Sequence, residues 1–546
     1  MSITNKQIAS YFDSLVKLME LYDENPFRIR SYKNAYLTIR KLDKSIAEMS
    51  PSEIKGIPKI GASTMDKIFE ILDKQQLTTL LEYRNKTPKG VLELLDIKGI
   101  GPKKIKTIWK ELDIESPIEL LYACNENRLI ELKGFGQKTQ IDIAKKINFA
   151  MQNSHLFLWA NIKNEADLLF DFFRKKLPLS QQLSFTGAFR RKDPVLDGVE
   201  LITDAEISFL AQAYPKLTKD DALTLVGKSK NGIPFKIFHC ATDEYGSKLF
   251  KTTGTDKFNQ LVFNKIQIPK SAKNEEAFFA QANLPYCPPE LRWSQIPKQD
   301  VINNLITQQD IKGVIHAHSQ WSDGHNSIHE MALAAQKGGF EYLVITDHSK
   351  SAFYANGLQV ERVLAQMNEI DEINQKMPGF HIFKGIESDI RHDGSLDYDD
   401  ELLEKFDIVI ASIHTNLRMK KDIATQRLIK AIEHPKTRIL GHLTGRLLLA
   451  REGYPIDFDS VLSACAKHNV VIELNANPYR LDIDYQYIRQ TLDKGVQISI
   501  NPDAHSIQGI DDIQYGVWAA RKAGVSPKDN LSSLSQDQFK KFIAKS

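Results

Sequence analysis

The sequence predicts a multidomain chain of three successive architectures: an α-helical region of helix–hairpin–helix repeats, a mixed α/β middle, and a distorted C-terminal (β/α)7 barrel. Two observations carry the prediction. Seven short apolar runs in the C-terminal part each end on a histidine or another polar ligand: Val314–His318, Leu343–His348, Ile382–Glu387, Ile408–His414, Ile439–His442, Val471–Asn475 and Ile498–His505. Buried parallel strands that finish on polar residues are how a β/α barrel builds a site at its C-terminal face. Near the other end, one glycine-containing pattern occurs three times between residues 57 and 136.

That repeated pattern comes first in the chain. It reads Ile57-Pro-Lys-Ile-Gly61, Ile97-Lys-Gly-Ile-Gly101 and Leu132-Lys-Gly-Phe-Gly136, each followed by an amphipathic stretch. Glycine lets the backbone turn tightly and leaves N–H groups open at a helix N-terminus, where a phosphate binds. Gly61, Gly99, Gly101, Gly134 and Gly136 are therefore candidate DNA-backbone contacts, with Lys103 and Lys138 adding charge. The first repeat lacks its leading glycine; Lys59 stands there. Upstream, Asn25–Ala35 alternates basic and aromatic residues, so Arg28, Arg30 and Lys33 form either a phosphate clamp or a solvated helix face.

Composition agrees with this order. Lys and Arg outnumber Asp and Glu before residue 300 and are outnumbered after it, and all but two of the 14 histidines lie in the later part. A basic front and a histidine-rich back suit a polyanion-gripping module joined to a metal-binding one. Histidines and carboxylates at successive strand ends read as a multi-metal hydrolase. The 4 cysteines form no CxxC pair, and no apolar run approaches the ~18 residues of a membrane span. The N-terminus MSITNKQIAS has no signal-peptide core, so the expected location is cytoplasmic, away from membranes.

With these motifs in place, the chain resembles the bacterial family X DNA polymerases that carry a C-terminal polymerase-and-histidinol-phosphatase (PHP) domain. The stretches that carry the resemblance are NPFRIRSYKNA and the hairpins, TGAFRRK, HAHSQWSDG, TDHS, GHLTGRLL, ELNANPYRLD and NPDAHS. It implies an N-terminal lyase-like domain over 1–85 and a fingers-like hairpin region over 86–150. A nucleotidyltransferase-like palm over 151–242 and a thumb-like domain over 243–297 follow, then a linker at 298–312 and the PHP barrel over 313–546. Lys67 falls near the position where some relatives place a lyase lysine; the other reading is a phosphate contact.

The palm departs from the family pattern. That pattern opens with Gly-Ser-x-Arg-Arg and presents an Asp-x-Asp pair for two Mg2+ ions. Here the first motif reads Gly187-Ala188-Phe189-Arg190-Arg191, and the Asp-x-Asp positions fall on Gly198 and Glu200. The third carboxylate position falls on Lys236, with Asp197 nearby. A lysine where a cation should sit adds repulsion, so the resemblance implies a silent polymerase centre. Arg190 and Arg191 carry over as DNA or phosphate contacts.

The PHP half carries over without a substituted position. The resemblance implies the ligands His316, His318, Asp323, His348, Glu387, His414, His442, Asp503 and His505, holding three divalent ions per chain. Mixed ligation of this kind fits Mn2+, Zn2+ or Fe2+. His316 and His318, alternating on one strand, are expected to face the same side. His316, His318, Glu387, Asp503 and Arg446 are the expected catalytic group, Arg446 and Arg480 gripping the phosphodiester and Asp347 orienting a ligand histidine. His325 and His329 read as helix-surface residues, and His392 with Asp393 as a loop near the mouth. The implied activity is 3′–5′ exonuclease or 3′-end processing in DNA repair, by a monomer acting on gapped, nicked or 3′-ended duplex. A gap-filling polymerase with a proofreading barrel, and a small-molecule phosphatase, are the alternatives.

Overall fold

The computed structural model describes residues 3–544 except 43, 98, 152–155, 268 and 270, and only the backbone of 149–151. Two compact units result. The first takes Met1–Asn125 and Leu129–Ala150; the second takes Glu126–Arg128 and Met151–Ser546.

The first unit is helical. Its opening helix Asn5–Leu21 starts at a Thr4–Gln7 capping box and buries Ile8, Phe12, Leu15 and Met19, a single face at helical spacing. Pro26 begins the helix Pro26–Ile39, where a missing N–H costs nothing, and Asn25 caps it. The repeated motifs form hairpins that lead into the helices Ala62–Lys74, Pro102–Leu112 and Gln137–Met151. Their apolar members Ile57, Ile60, Ile97, Ile100, Leu132 and Phe135 are buried, which fixes each hairpin against the helical core. Gly99 and Gly134 adopt φ of 91° and 89°, and Lys59, in place of a glycine, adopts 66°. Left-handed backbone strains a side-chain-bearing residue by ~1–2 kcal/mol, so the first hairpin is built at a cost the other two avoid.

The second unit contains a five-stranded sheet ahead of the barrel. β1 (Leu183–Phe185), β2 (Val199–Thr203), β3 (Thr218–Lys219), β4 (Thr224–Lys228) and β5 (Pro234–His239) lie in the order β1-β2-β5-β4-β3. Only the β2–β5 pair is parallel. The helix Trp159–Lys176 lays Ile162, Leu169 and Phe173 on this sheet. Phe250, Phe258, Phe278 and Phe279 then fill a small helical core. The segment expected as a linker is not a bare connector: it forms the helix Gln299–Asn303, and Ile306 N donates to Val525 O at 2.9 Å.

Seven parallel strands follow in sequence order: β6 (Gly313–Ala317), β7 (Tyr342–Ile345), β8 (His381–Asp389), β9 (Ile408–Ser412), β10 (Thr437–Leu440), β11 (Val471–Asn475) and β12 (Ile498–Asn501). The barrel is nearly closed. His318 N donates to Ala504 O at 2.8 Å and Ala504 N to His316 O at 3.2 Å, so the ends of the first and last strands meet. Strand residues divide by alternation. Ile315, Val344, Phe383, Ile410, Ile439 and Val471 make one cluster with Phe539, while Val314, Leu343, Ile382, Val409 and Ile472 pack with the surrounding helices.

Candidate metal centre and DNA-binding elements

The polar strand ends converge. His316 reaches the centre through a bulge rather than by plain alternation: its φ is 67°, and pairing with β7 shifts between Val314 and Ala317. The bulge aims both His316 and His318 at one point. His442 and Asp503 also have positive φ, 23° and 53°. Strained backbone at three of the expected ligands marks a site whose geometry the surrounding fold imposes.

Glu387, at the end of β8, stands among five imidazoles. Its Oε1 lies 3.0 Å from His442 Nε2, 3.2 Å from His414 Nε2 and 3.4 Å from His316 Nε2; its Oε2 lies 2.9 Å from His348 Nδ1 and 3.7 Å from His318 Nε2. Asp503 Oδ1 is 3.1 Å from His318 Nε2 and 3.4 Å from His316 Nε2. Asp323 is 3.5 Å from both His348 Nε2 and His505 Nε2. All nine expected ligands thus lie in one buried assembly. Their donor atoms form groups within 4.8 Å: His318, Asp323, His348 and His505; His316, His318 and Asp503; His348, Glu387 and His414.

The chemistry of this set fits divalent cations. His316 Nε2, His318 Nδ1, Asp323 Oδ2, His348 Nδ1 and Glu387 Oε2 are buried without a hydrogen-bond partner among the described residues. Buried polar atoms left this way are costly unless an ion or water takes them up. The field of the cluster is strong. Burial opposes charge on His348, but Asp323 and Glu387 outweigh it and push its pKa up to about 10. Burial, with His505 and His348 as like-charged neighbours, pulls His318 down to about 4. Burial alone would raise Glu387, yet His414, His348 and His316 hold it well below the carboxylate range.

Three carboxylates that sequence reasoning missed stand behind the ligands. His316 donates from Nδ1 to Glu473 at 2.6 Å, His414 from Nδ1 to Asp389, and His505 Nδ1 contacts Glu126. For His316 and His414 such acceptors fix the tautomer and present the opposite nitrogen to a metal, whereas His505 Nδ1 also lies 3.0 Å from Asp503 O and Glu126 groups with Asp503 and His505 as a further donor set. The signal for Asp389 was its spacing two after Glu387 on one strand; Glu473 lay inside the apolar run Val471–Asn475. Nothing in sequence placed Glu126, which belongs to the second unit through the short Glu126–Arg128 segment. Asp347 does something other than orient a histidine: it accepts from Ser319 N at 2.8 Å and Ser319 Oγ at 2.6 Å, which holds the loop after β6.

Arg446 is held by protein partners. Its Nε donates to Arg480 O at 3.0 Å and its two terminal nitrogens to Asp484 and Leu481 O, so every guanidinium nitrogen is engaged within the protein. His329 is an exposed residue of the helix Ile328–Lys337, and His325, His392 and Asp393 are exposed in loops.

In the sheet of β1–β5 the substituted positions meet. Glu200 pairs with Lys236 across β2 and β5. The Glu200 carboxylate accepts from Ala188 N at 3.1 Å, and a Cβ built on Gly187 would lie 1.4 Å from its Oε2. It therefore fills the space over the Gly187–Ala188 turn. Burial raises its pKa. A Cβ on Gly198 would meet Pro234 O at 2.5 Å, so no side chain fits there. Asp197 and Lys236 are exposed.

Arg190 and Arg191 are both paired with carboxylates of this chain. Arg190 makes a two-pronged pair with Glu275, 2.8 Å on each arm, and Arg292 grips the same carboxylate at 2.5 and 3.1 Å. Arg191 bonds Asp193 and Thr253 O. Asp193 in turn receives Lys522 Nζ at 2.6 Å, a fully buried lysine from the barrel helix Ile513–Lys522. The Arg190–Asp193 segment thus joins the sheet layer to the barrel.

In the first unit, Arg28, Arg30, Lys33, Lys103 and Lys138 are exposed, as are Gly61, Gly99, Gly101, Gly134 and Gly136. Open space surrounds Gly61, Gly101, Gly134 and Gly136, and no side chain caps the helices after Gly61 and Gly101. Backbone N–H groups there are open to a phosphate. Lys67 is half-buried and donates to Thr79 Oγ1 at 2.8 Å.

Comparison with known proteins agrees with this division. A helix-hairpin-helix domain matches residues 3–77, a SAM-like helix-hairpin-helix tandem residues 91–147, and a PHP domain residues 315–477. The "DNA polymerase/3'-5' exonuclease PolX" of Bacillus subtilis (strain 168) is 32% identical over 569 aligned positions, covering 98% of this chain and 99% of that protein. A probable phosphatase of Thermoanaerobacter sp. (strain X514) is 28% identical over 240 positions, 42% of this chain and 92% of its own length. A probable phosphatase of Aliivibrio fischeri (strain MJ11) is also 28% identical, over 257 positions, 42% of this chain and 91% of its own length. Among the described residues no helix is long and apolar enough to cross a membrane. With hairpin modules for DNA at one end and a metal-dependent PHP barrel at the other, aligned over nearly its whole length with a bacterial polymerase–exonuclease, the chain belongs to the family X DNA polymerases that carry a C-terminal PHP domain.

Proposed function

We propose that this chain is a metal-dependent 3′–5′ exonuclease that processes DNA 3′ ends in repair, with its polymerase region serving as scaffold. One contrast supports the reading: the nine barrel residues converge with buried donor atoms left unpartnered, whereas Gly198 has no room for a side chain and Lys236 stands opposite Glu200. The overlapping donor groups leave room for more than one ion, three being the proposed number, and Mn2+, Zn2+ and Fe2+ all accept such mixed ligation. His316, His318, Asp323, His348, Glu387, His414, His442, Asp503 and His505 would hold them. Bound there, the ions would activate water and neutralise the phosphodiester. Glu387 Oε2 is buried without a hydrogen-bond partner among the described residues, while Glu473 and Asp389 keep His316 and His414 turned inward.

The test is one incubation of the full chain with Mn2+ and a 5′-labelled gapped duplex, with and without dNTPs, beside His316→Ala. Shortening that is lost in the variant, with no extension, is expected. Extension with dNTPs would favour the second reading, a gap-filling polymerase, which the name of the Bacillus relative supports. The probable-phosphatase relatives support a third, a small-molecule phosphatase; retained DNA shortening argues against it.

A further inference from the structure

At the edge of the metal centre lies a group of side chains that the chemistry above leaves unused. Tyr354, in the turn Phe353–Ala355, is only 8% exposed, and its hydroxyl is buried without a hydrogen-bond partner among the described residues. Its ring centroid lies 6.4 Å from that of His348 and 6.4 Å from that of His414. The Arg128 guanidinium sits 4.4 Å from the Tyr354 ring centroid, and its buried Nε also lacks a partner. Next to them Phe353 is 71% exposed, its ring 5.6 Å from Tyr354 at 78°.

The exposed ring is not on a loose loop. Ser351 binds Asp397 through both N and Oγ, at 2.6 and 2.5 Å, and Gly357 N donates to Ala352 O at 3.0 Å. Gly357 is pressed so tightly that a Cβ would meet Ser349 O at 2.0 Å. An exposed aromatic held rigidly beside a metal centre has little conformational entropy to lose on stacking. A lone hydroxyl donor beside the cluster, and a cation with an unpartnered N–H against the same ring, match the oxygens of a phosphodiester.

We propose that Phe353, Tyr354 and Arg128 form the subsite for the terminal nucleotide of the DNA strand, the nucleobase stacking on Phe353 and the phosphate meeting Tyr354 and Arg128. The inference rests on the nuclease reading above and names what seats its substrate. A small phosphate ester without a base would use only half of the subsite. Because stacking accepts any nucleobase, the subsite is indifferent to sequence.

The full chain with Mn2+ tests this on two 5′-labelled gapped duplexes, one with an ordinary 3′-terminal nucleotide and one with a tetrahydrofuran abasic residue there. Phe353→Ala, at an exposed position, is expected to lower kcat/KM about tenfold on the ordinary end and to match wild type on the abasic end. Arg128→Ala is expected to raise KM on both ends alike. Equal behaviour of Phe353→Ala and wild type on both ends, or equal losses on both, overturns the stacking. An unchanged KM in Arg128→Ala overturns the phosphate contact. Wild-type protein that shortens neither duplex overturns the nuclease reading and the subsite with it.

Discussion

Glu473 Oε2 lies 2.6 Å from His316 Nδ1, and neither side chain has measurable exposure. The same carboxylate also receives His442 N at 2.9 Å and the amides of Asn475 and Asn501 at 3.0 and 2.8 Å. One residue therefore fixes the ring of one expected ligand and the backbone of another. Glu473→Ala is expected to weaken Mn2+ binding by about 10–100-fold, the usual cost of losing such a partner. Glu473→Gln, which keeps an acceptor, should lose less. Titration calorimetry reads both, and wild-type affinity in the alanine variant would remove Glu473 from this role.

Metal removal should be visible in stability. The unpartnered buried donors gain partners when an ion binds, and an ion at a hundred times its Kd adds about 2.7 kcal/mol. The thermal transition is expected to rise on adding Mn2+ and to return with a chelator. His316→Ala with Glu387→Ala should abolish most of the shift. A transition that ignores Mn2+ would deny the cluster a cation.

Glu275 carries a pH dependence away from the metal centre. Burial would raise its pKa, but Arg190 and Arg292 more than offset this and hold it below the usual carboxylate value. A depressed carboxylate contributes stability above its unfolded pKa and loses it as pH falls through the folded value. Glu275→Gln should destabilise by about 3–5 kcal/mol near neutrality, since it leaves Arg292 buried beside a neutral partner. The gap between variant and wild type should narrow as pH drops below the ordinary carboxylate range. Urea midpoints across pH measure it, and a gap that widens in acid would contradict the pairing.

Asp193→Asn should likewise destabilise, by about 3–5 kcal/mol, because Lys522 is wholly buried and loses its counter-charge. Adding Lys522→Met should recover most of the loss, because a buried pair replaced by apolar atoms is often neutral. Urea midpoints of the single and double variants measure the recovery. A double variant no better than Asp193→Asn would show that the lysine holds the layers by more than its charge.

The barrel was legible because its strand ends announce themselves: an apolar run that stops on His or Glu combines a buried strand with a polar terminus, and seven in succession repeat the demand. The hairpins were legible because glycine spacing states a backbone requirement directly. What escaped has a common cause, partners distant in sequence. Arg190 and Arg191 kept the look of phosphate contacts, but Glu275, 85 residues on, sits in a helix start that reads as ordinary solvated charge. The bulge at His316 escaped because alternation alone already accounted for two inward histidines. Glu126 lies between helices whose pattern carries no trace of a metal site.

The crowding at Gly198 has an evolutionary consequence. With Pro234 O only 2.5 Å from where a Cβ would begin, placing aspartate there first demands that the neighbouring strand retreat. The Glu200 carboxylate meanwhile fills the space over the Gly187–Ala188 turn. Any side chain gained at Gly198 in a single step would meet that clash first, so the backbone itself acts as a ratchet that keeps glycine at this position.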